Sequence, residues 1–361
     1  MIDFRYHLVS IVAVFLALAI GIVLGSTELQ GTALSALKTT SNSLRSQLNA
    51  ASDERDAYAA QVAAAATQAS AADAFLQTSE SLLLGGGRLL AGDRLVIVTE
   101  PGAPDAVTNG VKTAAADAGA VVTGEVKLQP TFNELSGPTG ATLSTINESV
   151  ANSDGTTLAA GTDPQTTYQQ DAAQLIATAI LEKPESQQQN QQGQPGLSAT
   201  SAQTLLTAYA QAGFISVSGS PTNRAGLVVI IAPGSVPADG ASDPANQVLV
   251  AIGREFASSG AVTVITGATT SSGQAGSAIS VVRASPVSSK VSTVDNADTT
   301  QGQITVMQAI AEQLAGGKPS SYGISGATSV SPAPAPTAPQ TPTSSTQPTS
   351  AGNGGKKVSK K

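Results

Sequence analysis

The stretch Asp93-Arg94-Leu95-Val96-Ile97-Val98-Thr99-Glu100-Pro101-Gly102 decides how this chain is read. A short apolar, β-branched run led by Asp93 and closed by Pro101-Gly102 is the pattern of a strand buried in a parallel sheet. Immediately downstream, Val107, Val111, Ala114, Ala115 and Ala118 recur at helical spacing as far as Gly119, and Ala120–Val126 returns to strand character. Strand, helix and strand within about 32 residues make one βαβ unit. The same alternation continues, with strands predicted at Phe214–Val217, Leu227–Ala232 and Ala261–Thr266. Helices are predicted at Tyr168–Leu181, Thr200–Ala212, Pro244–Ser258 and Gln303–Leu314. The fold class is therefore α/β: a mainly parallel, doubly wound sheet with helices on both faces, in an extracytoplasmic domain spanning 85–327.

Two segments depart from this pattern. Between Thr131 and Gly196 the periodicity weakens, and the Gln-rich stretch 184–196 reads as a flexible excursion. From Thr328 the chain becomes rich in Pro, Ser and Thr with no acid, and four Lys fall in the final six positions. This 328–361 tail is expected to be disordered. Its lysines serve solubility or contact an anionic envelope polymer or membrane surface.

Upstream, Gly85-Gly86-Gly87 ends a long helical pattern. From Leu34, spacings of three and four lead through Leu37, Ser41, Leu44, Leu48, Ala51, Arg55, Tyr58, Val62, Ala65, Ala69, Ala72, Leu76 and Ser79 to Leu83, with neither Gly nor Pro from Thr32 to Leu84. A sustained 3-4 repeat predicts a coiled coil over 28–84, a rod of roughly 85 Å. Its large seam residues are Leu34, Leu37, Leu44, Leu48, Tyr58, Val62, Leu76 and Leu83. The Ala layers bury little, so homodimer and hetero-complex both remain open.

The first residues, 1–27, form the anchor. From Leu8 to Gly25, Ser10 is the only polar side chain. Eighteen residues at 1.5 Å each span about 27 Å, close to the hydrocarbon thickness of a bilayer. The run exceeds the h-region of a signal peptide, and Ala17-Leu18-Ala19 falls inside it rather than after it, so an uncleaved anchor is expected. Arg5 precedes the run and Glu28 follows, which places the N-terminus in the cytoplasm and the bulk outside. Ala13, Ala17, Gly21 and Gly25 recur every four residues, a small-residue stripe suited to helix pairing in lipid.

Composition narrows the function. The 361 residues include no Cys and one His (His7), and the formal net charge is −7. Thiolate metal sites, Cys nucleophiles and His-dependent triads are thereby excluded, and nucleic acid is a poor partner. The loop after the first strand is neither G-x-G-x-x-G nor a P-loop, and Pro101 removes a donor that a phosphate cradle would use. Gly267–Gly273 is the one loop rich enough in small residues to hold an anion, but it has no Lys. The polar segment Val291–Asp298 carries Asp295, Asn296 and Asp298. These residues are hard-cation ligands, an acid/base pair, or turn and capping groups ahead of Gln303–Leu314, and capping is preferred because no third ligand lies nearby in sequence. No catalytic residue, metal ligand or cofactor site is expected.

The opening MIDFRYHLVSIVAVFLALAIGIVLGS, the heptad behind it and the VSTVDNAD…GQI segment closely resemble the actinobacterial MctB family. That family is labelled a copper transporter and is called SteB in its corynebacterial branch. The resemblance implies copper homeostasis in the envelope, or a membrane scaffold in cell separation that acts with a partner membrane protein. Copper(I) prefers soft ligands, and this chain offers only Met1, Met307 and His7, none adjacent in sequence. Copper as a ligand therefore rests on the family label alone.

Overall fold

The computed structural model describes residues 4–134, 137–158, 164–182, 197–237 and 239–332. The Gln-rich stretch 184–196 and the tail beyond 332, both expected to be flexible, lie outside these residues. The chain divides into two compact units, Met1–Phe75 and Leu76–Lys361.

The first unit belongs to one helix, α1, which runs unbroken over Phe4–Leu83 and so carries both the apolar run Leu8–Gly25 and the 3-4 repeat that follows it. Within it, Arg5–Gly25 is long and apolar enough to cross a membrane, and no other described helix is. Gly85, Gly86 and Gly87 all take positive φ, which ends the helix in a conformation that other residues resist.

The second unit is a seven-stranded sheet of order β3-β2-β1-β4-β5-β6-β7. Its strands are β1 (Arg94–Thr99), β2 (Val121–Leu128), β3 (Ile215–Gly219), β4 (Leu227–Ile231), β5 (Val262–Thr266), β6 (Ser292–Val294) and β7 (Ser321–Tyr322). All neighbours pair in parallel except β2 and β3. The helices are α2 (Asp105–Asp117), the single turn α3 (Pro130–Asn133), α4 (Pro138–Asp154), α5 (Pro164–Ile180), α6 (Ala199–Gln211), α7 (Pro244–Ser258), α8 (Ala278–Ala284) and α9 (Thr300–Leu314).

The antiparallel β3 follows from chain length. Among the described residues four helices separate β2 from β3, but only the seven-residue link 220–226 joins β3 to β4. So short a link cannot cross back along the sheet, so β3 must end where β4 begins. Alternation along β1 builds two cores. Val96 and Val98 join Val228, Ile230, Phe132, Leu175, Leu205 and Ile252 on one face. Leu95 and Ile97 join Val229, Ile231, Val111, Val306 and Ile310 on the other. The helices start where local chemistry dictates. Asp243 accepts from Ala245 N ahead of Pro244 at the head of α7, and Ser198 accepts from Ser201 N at α6.

Candidate functional site

In a doubly wound sheet, ligands enter at the carboxyl ends of the two strands where the winding reverses, here β1 and β4. In this chain that crevice is zipped shut. Glu100 N donates to Ile231 O at 3.0 Å and Gly234 N to Gly102 O at 3.2 Å. A Cβ on Gly234 would come within 3.1 Å of Pro104 Cγ, and one on Gly102 within 3.5 Å of Pro233 Cβ. Ser271 Oγ then donates to Pro233 O at 2.7 Å and ties the β5 loop to the same seam. The anion-like loop Gly267–Gly273 is also occupied from within, since Thr269 N and Thr269 Oγ1 both donate to Asp298 Oδ1 at 2.9 Å. The carboxylate of Asp298 stands where an external anion would have to sit.

Three ionisable groups among the described residues of the domain are displaced from their ordinary titration range. Glu100, directly after β1, is 1% exposed. Burial pushes its carboxyl up to about 8, and Asn133 on α3 draws it only partly back. Tyr209 on α6 donates to Asn147 Oδ1 at 2.6 Å, and Asn147 Nδ2 donates to Tyr168 O at 2.9 Å, cross-bracing α4, α5 and α6. Burial, then the nearby Asp171, hold the Tyr209 phenol well above its ordinary range. Tyr322, on β7, donates to Glu312 and is pushed up to about 12, mainly by burial and then by that carboxylate.

The Val291–Asp298 segment contains the three-residue strand β6 and then divides its polar residues among separate tasks. Asp295 is fully buried and accepts from Arg283 Nη1 at 2.9 Å, Ile324 N at 2.8 Å and Ser325 N at 3.0 Å. Arg283, on α8, also donates to Thr293 Oγ1 and to the carbonyls of Tyr322 and Ser325. This buried fork clasps the chain that follows β7 onto the sheet. Hydrogen bonding there continues past the expected end of the domain, with Thr328 N and Ser329 N donating to Ser321 O. The N-cap of α9 is Thr299, which accepts from Gly302 N at 3.2 Å, whereas Asn296 Oδ1 is buried and unpartnered. Capping of the last helix thus falls to a residue the sequence reading passed over.

Arg283 and Glu100 were also passed over there. A lone Arg in the apolar helix Ala278–Ala284, and an acid ending an apolar strand, were the available signals.

The seam of α1 splits into two parts. Leu34, Leu37, Leu44, Leu48, Tyr58 and Val62 are 54–69% exposed. Leu76 instead packs against the sheet domain beside buried Leu84 and Leu90, and Leu83 is 44% exposed. The last turns of the helix therefore serve the domain. The stripe residues Ala13, Ala17, Gly21 and Gly25 are exposed, and nothing lies within 4 Å of a Cβ on either Gly. Among the described residues, no three of His, Cys, Asp and Glu gather in a metal-binding group. Met307 is fully buried in the α2/α9 core.

Comparison with known proteins places these features in context. The family model described as "Copper transport outer membrane protein, MctB" matches residues 1–332. The Copper transporter MctB of Mycobacterium tuberculosis is 30% identical over 331 residues, covering 90% of this chain and 96% of that protein. Its counterpart from Mycobacterium leprae is 29% identical over 341 residues, covering 91% and 99%.

Proposed function

The chain belongs to the MctB family, and from that premise we propose that it is a membrane-tethered scaffold without catalysis of its own. In this reading residues 8–25 cross the bilayer with the N-terminus in the cytoplasm, as the Arg5 flank favours. The rod pairs in parallel and presents the α/β domain as an interaction module in the cell envelope, in cell separation or a related process. One observation carries the proposal: a single chain leaves Leu34, Leu37, Leu44, Leu48, Tyr58 and Val62 mostly in water. Covering such side chains is worth about 1–2 kcal/mol apiece, so the stripe favours a second helix beside it. The stripe at Ala13, Ala17, Gly21 and Gly25 would let two anchors approach closely in lipid. The closed switch point supports a binding role over turnover of a nucleotide.

Single Cys residues introduced at Leu44, Leu48 and Val62 and oxidised in membranes test the reading. Like-to-like cross-links at these heptad positions support the homodimer, and cross-links to another protein support a hetero-complex. Turnover of a substrate by the α/β domain, with no cross-link of either kind, would sink the scaffold.

The name carried by the family favours a second reading, in which copper is the cargo. The donor set fits poorly. Met307 is sealed in the core and His7 falls within the apolar span Arg5–Gly25. Under that reading copper passes through the assembly or its partner, and this chain supplies tether and surface.

A further inference from the structure

At the closed switch point a buried carboxyl, that of Glu100, stands beside the Asn133 side chain. Neither Oε1 nor Oε2 of Glu100 has a hydrogen-bond partner, and Asn133 Oδ1 is likewise buried and unpartnered. Alternation along β1 directs Glu100 to the face of Val96 and Val98, where Phe132 of α3 is fully buried. The titratable residues on the elements covering this face are Glu148 and Asp154 on α4, Tyr168 and Asp171 on α5, Tyr209 on α6, Arg254 and Glu255 on α7, Arg283 on α8, and Glu134 just after α3. No ion pair among the described residues reaches Glu100; Arg254 pairs with Glu255 and Arg283 with Asp295. A bare carboxylate in this setting is strongly disfavoured. One proton removes that buried charge, since the Asn133 side chain favours the ionised form only in part and does not offset the burial.

We propose that Glu100 is a proton-operated latch: its neutral acid holds α3 against the sheet, and its ionisation releases α3 and opens the carboxyl end of β1 to water. The element it holds is suited to local opening. α3 is a single turn, tied down by Gln169 Nε2 donating to Phe132 O at 2.8 Å, by Gln129 N donating to Phe214 O at 2.9 Å and by Thr131 Oγ1 donating to Gly213 O. Such a turn can leave while the central strands stay paired. Freed, it uncovers Phe132 and the buried end of β1 beside the β1/β4 crevice. The latch couples access to this crevice to the pH outside the cytoplasmic membrane.

The sign follows from linkage. The closed state keeps its proton up to about pH 8, whereas an opened carboxyl has an ordinary value near 4.5. The opening equilibrium therefore rises about tenfold per pH unit between those values and levels off above the upper one. Hydrogen–deuterium exchange of the full-length chain in detergent micelles, divided by the intrinsic base-catalysed rate, reads this directly. Peptides covering 129–134 should open about a hundredfold more at pH 7.5 than at pH 5.5, while Leu95–Thr99 and Leu227–Ile231 change far less. Glu100→Gln should abolish that slope and stay closed throughout. An equal slope in Glu100→Gln, or a parallel rise at Leu227–Ile231, would overturn the latch. Infrared titration of the wild-type chain guards against a variant that fails to fold. A neutral-acid carbonyl band persisting at pH 7 supports the proposal, and its complete loss by pH 5.5 refutes it.

Discussion

Breaking the Arg283–Asp295 clasp should unfasten the C-terminal end of the domain, and the structure sets the size of the effect. The ions lie 2.9 Å apart with side chains 10% and 0% exposed, so little solvent screens them. At an effective dielectric near 20 their attraction is roughly 5–6 kcal/mol before desolvation is charged against it. Removing one partner of a buried pair typically costs about 3–5 kcal/mol, because the other charge is left uncompensated. Asp295→Ala adds two orphaned donors, Ile324 N and Ser325 N, each worth roughly 1 kcal/mol. A total of roughly 5–7 kcal/mol would consume much of the stability of an ordinary domain. Arg283→Met keeps the aliphatic stem and should cost about 3–5 kcal/mol by stranding the carboxylate. The double variant strands neither charge, so its cost should fall below the sum of the two by about 2–3 kcal/mol. Urea unfolding of the full-length protein in micelles measures the cycle, followed by tyrosine fluorescence because the chain has no Trp. Limited proteolysis should meanwhile show early cleavage between Ser320 and Ser329 in the single variants. Additive costs, with coupling below about 0.5 kcal/mol, would mean that the fork is not the fastening inferred here.

Other expectations follow from separate parts of the molecule. The mature protein should retain its N-terminus, and protease outside the cytoplasmic membrane should remove the tail; a chain starting between Ala19 and Glu28 would contradict the anchor. Gly302→Ala should destabilise the sheet domain by more than 3 kcal/mol, because a Cβ would meet Asn296 O at 2.0 Å in fixed backbone; a change in urea midpoint too small to resolve would show that the α9 entry can shift. The purified extracytoplasmic region should bind Cu(I) no better than a generic acidic protein. A stoichiometric complex surviving a strong Cu(I) chelator would reveal a site that the positions of Met307 and His7 do not provide.

What could be read from the residues alone was whatever depends on neighbours in sequence. The apolar run Leu8–Gly25 marks a membrane-length helix, and Arg94–Thr99 marks a buried strand, because each pattern repeats within one element. Pro244–Ser258 was legible to the residue, since its Asp-Pro start and apolar period are both local. The helix α4 was not, because its Thr, Ser and Asn content blurs the period, and β6 is too short to show one. The tertiary structure decided everything that rests on distant partners. β3 runs antiparallel because of a short link to β4, and Leu76, a position of the 3-4 repeat, packs against the sheet domain. Asp295 is a fastening because Arg283 lies 12 residues before it and Ile324 lies 29 after it, separations that no local pattern encodes. The Glu100 carboxyl is raised to about 8 because packing of remote segments buries it, with Asn133 of α3, more than 25 residues away in sequence, only partly offsetting that burial. Periodicity is a property of the chain, but the electrostatic surroundings of a side chain exist only once remote segments have packed around it.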